Sequence, residues 1–326
     1  MKKSIGLTSL ELCAGAGGQA IGLEAAGYHH QGLVEIEPSC CDTLRLNRPR
    51  WNVLTQDISK FNASDYRGID LLAGGLPCPP FSVAGKQLGA LDERNLFPAA
   101  LKLIEQTDPK AVMIENVRGF LEDIFLEYRE GLRSKLFKMG YLTGFRLLNA
   151  SDFGVPQLRP RVVIVALKKQ YWDRFDWPQV SPHNPATVGE TLYPLMSANG
   201  WAGAEAWRDK ADDIAPTIVG GSKKHGGPDL GPTRAKRAWA SLGVDGMGIA
   251  DAAPGINTPL SHRPKLTVEM VGLLQGFPLG WKFSGRKTAA YRQVGNAFPP
   301  PVAQAVAAQI KKALEARRSF RVVKAA

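Results

Sequence analysis

The sequence is short of the residues that staple, chelate or span. Its four cysteines, Cys13, Cys40, Cys41 and Cys78, form no Cys-x-x-Cys pair, and its five histidines show no clustering at metal-ligand spacing. This argues against a disulfide framework or a structural zinc site, predicts no bound metal, and fits a reducing compartment. Long apolar runs are missing too: stretches such as Val162 to Leu167 are far too short to cross a bilayer. No basic-then-apolar leader opens the chain, since Lys2 and Lys3 precede only one short strand-like run. The expectation is a cytoplasmic protein with no membrane partner. Internal repeats and low-complexity tails are absent.

What remains is an ordinary globular composition. The chain has 326 residues, 44% apolar and 22% charged, enough for one large domain or one domain plus a smaller one. Charge is unevenly placed within a net +11. Met1 to Val180 holds 22 Lys/Arg against 20 Asp/Glu, Ser181 to His262 holds 7 against 8, and Arg263 to Ala326 holds 12 against 2. The basic excess lies at the carboxyl end, with a local cluster at Lys223, Lys224, Arg234, Lys236 and Arg237. Such a surface suits a polyanion such as nucleic acid, although Lys311 to Lys324 also reads as a solvated helix end.

Short apolar runs alternate with helical spacing through the first half. Leu7, Leu10 and Leu12 lead into Gly15-Ala16-Gly17-Gly18 and a helix from Gln19 to Ala26. Gly32 to Ile36, Ile69 to Ala73 and Ala111 to Ile114 read as strands, with helical spacing over Leu96 to Ile104 and Phe120 to Met139. Tyr141 to Asn149 and Arg161 to Leu167 read as two strands joined by a polar, proline-bearing loop. The alternation predicts an α/β fold with a parallel sheet covered on both faces. After Val180 the chain turns rich in Gly, Pro and Ala, and residues 181–262 read as a small, loop-rich second domain or a large insertion. Order returns at Leu266, where Thr267 is placed to cap a helix carrying Val268, Val271 and Leu274. Pro299-Pro300-Pro301 precedes a last amphipathic helix, Val302 to Ala316. The expected divisions are 1–180, 181–262 and 263–326.

Three constellations carry chemistry. Gly15-x-Gly17-x-x-Ala20 after a strand, with Glu35 beyond it, is the layout of an adenosine-bearing cofactor site: the glycines admit the ligand to the backbone, and the acid accepts from ribose hydroxyls. Nicotinamide enzymes share that layout. Asp57 is placed to accept from an adenine amino group or simply to cap a helix. Next, Gly74-Gly75-Leu76-Pro77-Cys78-Pro79-Pro80-Phe81-Ser82 follows a buried strand, and its prolines fix the backbone around one thiol. That rigid setting suits a reactive cysteine better than an inert buried one. Finally, Glu115-Asn116-Val117 supplies an acid at the end of the next strand, and Gln157-x-Arg159-x-Arg161 supplies two arginines that share a face in an extended segment. A thiol, a carboxyl group and paired arginines at one sheet edge describe covalent chemistry on a polar, electron-poor ring.

In this order the residues resemble the DNA cytosine-5 methyltransferases of bacterial restriction-modification systems. Glu11-Leu12-Cys13-Ala14-Gly15-Ala16-Gly17-Gly18 is similar to that family's S-adenosylmethionine loop, and Gly74 to Ser82 to its proline-cysteine motif. Glu115-Asn116-Val117, Gln157-x-Arg159-x-Arg161, Leu274-Gln275-Gly276-Phe277-Pro278 and Gln293-Val294-Gly295-Asn296 resemble its later blocks. The sequence departs from the common pattern at Cys13 and Ile36, where aromatics are frequent, and at Pro79, where glutamine is common.

The resemblance implies a Rossmann-like, S-adenosylmethionine-dependent methyltransferase sheet with a smaller target-recognition domain. It implies a cofactor site of Cys13, Ala14, Gly15, Gly17, Gly18, Glu35, Ile36, Asp57, Ile58 and Asn296. It implies that Cys78 adds to C6 of a flipped cytosine, that Glu115 hydrogen-bonds or protonates N3, that Arg161 holds O2, and that Arg159 steadies the loop or the DNA backbone. Double-stranded DNA is the implied partner, contacted by Ser82, Gln157, Lys223, Lys224, Arg234, Lys236 and Arg237. The implied state is a monomer on DNA, functionally paired with a restriction endonuclease without a stable complex. A tRNA cytosine-5 methyltransferase would share the catalytic core, but the substantial segment before Leu266 disfavours it.

Overall fold

A computed structural model describes residues 6–77, 95–221 and 227–316. Its strands are β1 (Thr8–Leu12), β2 (His29–Glu35), β3 (Val53–Thr55), β4 (Leu71–Gly75), β5 (Ala111–Val117), β6 (Tyr141–Asn149) and β7 (Pro160–Lys168). They pair in one sheet in the order β3-β2-β1-β4-β5-β7-β6. The first five are mutually parallel, whereas β7 lies antiparallel between β5 and β6. The sheet is therefore mixed rather than parallel throughout. The reason is the connection: residues 150–159 are too short for the crossover of about a dozen residues that parallel neighbours need, so the two strands fold back as a hairpin.

Alternate side chains of the strands enter two different cores, as a two-residue period requires. Leu10, Leu12, Leu72, Val112, Ile114, Val162 and Ile164 face α3 (Phe97–Thr107) and α4 (Leu126–Lys138). Leu71, Ala73, Ala111, Met113, Val163, Val165 and Leu167 face α1 (Gly18–Ala25) and α11 (Pro300–Glu315) on the other side. In α11, Val302, Val306, Ile310 and Ala313 form the buried stripe, and two prolines occupy its first turn, where a missing amide hydrogen costs nothing. Both faces are thus covered, so the strands read as continuous apolar runs. Phe120 to Met139 is less helical than its spacing predicts: two short 3-10 turns precede α4.

The remaining helices are α2 (Pro38–Asn47), α5 (Lys169–Trp172), α6 (Val188–Met196), α7 (Ala204–Lys210), α8 (Thr233–Ser241), α9 (Val268–Leu274) and α10 (Lys287–Asn296). The region after Val180 is more helical than its composition suggests. Val188, Leu192, Trp201, Trp207 and Trp239 build its core, and Leu266, Met270, Val271, Leu274, Tyr291 and Val294 complete it. That core runs past residue 262 into α9 and α10. Pro194 inside α6 masks helical periodicity, yet Thr187 and Glu190 close a capping box at its start. Thr267 caps α9 as expected, accepting from the Met270 amide at 3.2 Å.

Candidate active site at the carboxyl edge of the sheet

The turn after β1 is built by backbone that most residues resist. Gly15 and Gly17 lie at φ 54° and 91°, in the left-handed region, and Cys13 joins them at φ 52°. Gly18 is obligatory for another reason: a Cβ there would stand 2.2 Å from the Phe298 carbonyl oxygen. Glu35 closes the turn from the tip of β2, its carboxylate accepting from the Gly15 amide at 2.7 Å and the Glu37 amide at 2.8 Å. Burial raises the Glu35 pKa, while those amides and that of Ile36 pull it down. The Cys13 thiol is held firmly protonated, first by burial and then by the nearby Glu35, Asp57 and Glu11 carboxylates.

The expected cofactor residues divide. Gly15, with no described atom within 4 Å of where a Cβ would be, and Ile36, exposed beside Glu35, leave room at the turn, which fits a nucleoside-bearing ligand. Ala14 is buried, and Gly17 and Gly18 shape the turn. Ile58 sends its side chain into the core with Leu12 and Val34, leaving only its main chain for a ligand. Asp57 lies beyond the end of β3 and accepts from the Ser59 amide at 2.9 Å, which lowers its pKa. The Asn296 amide donates to the Gly221 carbonyl, and it is its neighbours Ala297 and Phe298 that pack on Gly18.

The reversed direction of β7 assembles the second half of the site. Because β7 starts where β5 ends, Arg161 meets Glu115 at the same edge, and its Nε donates to the Glu115 carboxylate at 2.9 Å. A parallel β7 would have carried Arg161 to the opposite edge. Gly75 lies between the two halves: a Cβ there would lie 3.5 Å from Glu115 Oε2 and 3.9 Å from the Cys13 carbonyl oxygen. Burial raises the Glu115 pKa, and the Arg161 and Arg159 guanidiniums work against that rise. The described chain breaks off at Pro77 on this rim; Cys78 and Ser82 lie outside the described residues.

Arg159 and Gln157 both turn into the interior, which leaves Arg159 a structural role and not one on the DNA backbone. Arg159 is fully buried and donates to the carbonyls of Ile218, Gly295 and Ala297 at 2.7, 2.8 and 2.9 Å. It ties the second region and the last block to the start of β7, and no surface is left for a DNA phosphate. Gln157 is also fully buried, donating to the Leu274 carbonyl and the Gln275 side chain and accepting from the Ile218 amide. Its hydrogen-bonding capacity is spent inside the protein, so it is not a DNA contact.

Comparison with known proteins decides what this edge belongs to. The sequence profile of C-5 cytosine-specific DNA methylases matches residues 7–312. The chain belongs to that family. It is 56% identical to the type II methyltransferase M.NaeI of Lentzea aerocolonigenes, over 94% of this chain and 75% of that one. It is 54% identical to the type II methyltransferase M.NgoMIV of Neisseria gonorrhoeae, over 94% of this chain and 98% of that one. A prophage-encoded protein of Escherichia coli shares the fold with a TM-score of 0.67 at 23% identity, covering 94% of this chain and 99% of its own. The chain is accordingly a cytosine-5 DNA methyltransferase, and membership implies S-adenosylmethionine as methyl donor.

For a cytosine-5 methylase, the basic residues after Val180 are the expected DNA contacts. Lys223 and Lys224 lie outside the described residues. Arg234 and Arg237 are exposed on α8, whereas Lys236 is half-buried and paired with Asp229 at 2.9 Å, which removes it as a free phosphate ligand. Of the methylase residues that brace the turn from beneath, Phe277 was visible only as part of the Leu274 to Pro278 block, and Trp51 and Trp281 were not singled out. No spacing signal joins Trp51 to the other two, because it comes from a segment far from them in the chain. Glu11 was visible only as part of the loop, yet it is fully buried and, among the described residues, neither carboxylate oxygen has a hydrogen-bond partner. Among the described residues no helix is long and apolar enough to cross a membrane.

Proposed function

We propose that this methyltransferase works through a covalent adduct between Cys78 and C6 of a cytosine flipped out of duplex DNA, at a specific sequence. Carbon 5 of cytosine is too weak a nucleophile to be methylated unaided. Addition of the Cys78 thiolate to C6, with a proton or hydrogen bond from Glu115 at N3, turns C5 into an enamine-like carbon. Arg161 holds the cytosine O2, and Arg159 acts as a positioning residue through its three carbonyl contacts. When bound, S-adenosylmethionine supplies an electrophilic methyl group; Glu35 takes the ribose, the Gly15 and Gly17 backbone and Ile36 border the ligand, and Asp57 and the Ile58 main chain flank the adenine. Loss of the C5 proton to a base and departure of Cys78 then restore the aromatic ring. Flipping costs a few kcal/mol, which protein contacts to the DNA offset.

The observation that carries this reading is the Glu115–Arg161 pair at 2.9 Å, facing the glycine turn across Gly75. Residues 1–180 are read as the catalytic and cofactor domain, 181–262 as the target-recognition domain, and 263–326 as the segment returning to the catalytic domain. The two type II relatives favour a restriction-modification setting, and the proposal is completed by a cytoplasmic protein acting as a monomer on DNA, functionally paired with an endonuclease without a stable complex. The test is bisulfite sequencing of DNA from a methylation-free host expressing the protein. Protected cytosines in one recurring sequence support the reading; unmodified DNA from a host making folded protein contradicts it.

A further inference from the structure

The glycine turn does not rest on the sheet alone. Ala16 is buried against Phe277, Trp281 and Ala297, all from the carboxyl-terminal segment. A Cβ on Gly17 would stand 2.8 Å from Leu44 Cδ2, 3.2 Å from Trp281 Cζ2 and 3.6 Å from Trp51 Cζ3, so the two indoles lie beneath the turn beside Leu44. The arrangement is locked from outside. The Arg48 guanidinium lies 5.7 Å from the Trp51 ring centre and 5.3 Å from that of Trp281, and its Nε donates to Glu24 at 3.0 Å. The Trp51 indole N–H donates to the same carboxylate at 3.2 Å. The main chain carrying Trp281 is pinned as well: Asn47 donates to the Lys282 carbonyl at 2.7 Å and accepts from the Lys282 amide at 2.9 Å. Among the described residues the buried Trp281 indole N–H has no hydrogen-bond partner, so its ring packs and does not bond.

We infer that Trp281 is a positioning residue for cofactor binding: its ring is the seat that holds Ala16–Gly18 in the conformation the ligand needs. The same segment has its other side in the second region's core, through Leu274, Tyr291 and Val294. The returning carboxyl-terminal segment therefore packs on the second region's core and also supplies the floor of the cofactor turn. This inference rests on the assignment of the turn to the cofactor, and its test separates the two.

The readout is the affinity of purified full-length protein for S-adenosylhomocysteine by calorimetry without DNA, alongside KM for S-adenosylmethionine and kcat. Trp281→Ala is expected to weaken ligand binding and raise KM tenfold or more, with kcat at saturating cofactor changed less than threefold. Trp281→Phe, which keeps a packed ring and lacks the N–H, is expected to stay within threefold of wild type. Trp281→Leu replaces the alanine variant if that one does not fold. Trp177→Ala, removing an indole that packs near Gly144 on β6, lowers stability without moving ligand affinity. Glu35→Ala tests the site itself. If Glu35→Ala binds normally, the cofactor assignment fails. If Glu35→Ala weakens binding while Trp281→Ala does not, or if Trp281→Phe is as weak as Trp281→Ala, the seat is overturned.

Discussion

Glu115 sits where a carboxyl group is reluctant to ionise, and Arg161 is what draws its charge out. A group that must give a hydrogen bond or a proton to the cytosine ring is active in its neutral form, so single-turnover rates should fall on the alkaline side of the profile through a pKa above the usual carboxyl range. Arg161 stabilises the carboxylate; removing it raises that pKa further. Arg161→Ala should lower the rate by about tenfold or more through loss of its contact to the cytosine O2, and it should move the alkaline limb to higher pH because Glu115 loses its cation, a shift measurable in rapid-quench assays across pH. An unmoved limb would mean the ion pair does not set the titration. Glu11 makes an opposite contribution to the fold. Burial, then Glu35, hold its pKa well above that of a free glutamate. Below the ordinary glutamate pKa both folded and unfolded chains keep the proton, and there is no penalty. Above it only the folded chain keeps the proton, so stability falls as pH rises toward the raised value. Glu11→Gln should therefore gain in Tm over wild type at pH 8 more than at pH 4, by differential scanning fluorimetry. At this scale the sequence was legible where a residue type is rare in its setting. An acid ending a buried strand, or an acid beyond a glycine turn, is hard to explain as packing. That Gln157 and Arg159 turn inward was not legible, because spacing shows which side chains share a face, not which face is the interior.

Elements were easier to locate than to orient. Six of the seven strands followed from apolar runs, and the start of α9 from Thr267; β3 (Val53–Thr55) is too short to show as a run. The direction of β7 did not follow from the alternation of strands and helices; it follows from the length of the loop before it, and it is what delivers Arg161 to Glu115. The turn after β1 shows how tightly elements from opposite ends of the chain meet. Gly18→Ala forces a Cβ against the Phe298 carbonyl, which is backbone and cannot rotate away. The expected cost is about 1–3 kcal/mol in urea unfolding, together with weakened cofactor binding. A variant as stable as wild type would show that the last block does not press on the turn. Thr267→Ala tests an ordinary local effect for comparison: loss of the cap should cost about 1 kcal/mol and leave cofactor affinity unchanged.

Across the whole molecule, a nearly neutral catalytic half is joined to a strongly basic carboxyl end. Twelve Lys/Arg against two Asp/Glu after His262 attract a polyanion over long range. Not every cation is available, since Lys236, Lys265 and Lys287 are paired with Asp229, Asp245 and Asp251. DNA affinity should drop by roughly tenfold or more between low and moderate salt if even two phosphates are contacted. Arg237→Ala should flatten that slope, and Lys236→Ala should change it less; equal slopes for both would remove α8 from the DNA surface. The recognition region stayed obscure in the sequence because its core is assembled from tryptophans and short capped helices joined by long loops. Everything converges on the thiol of Cys78. The most direct measurement is an oligonucleotide duplex carrying 5-fluorocytosine at a verified target position, incubated with enzyme and S-adenosylmethionine. Fluorine blocks loss of the C5 substituent, so the account predicts a stable enzyme–DNA adduct, mapped by mass spectrometry to Cys78, dependent on the methyl donor and absent from Cys78→Ser. A duplex that is methylated when unfluorinated yet yields no adduct through Cys78 when fluorinated would contradict it.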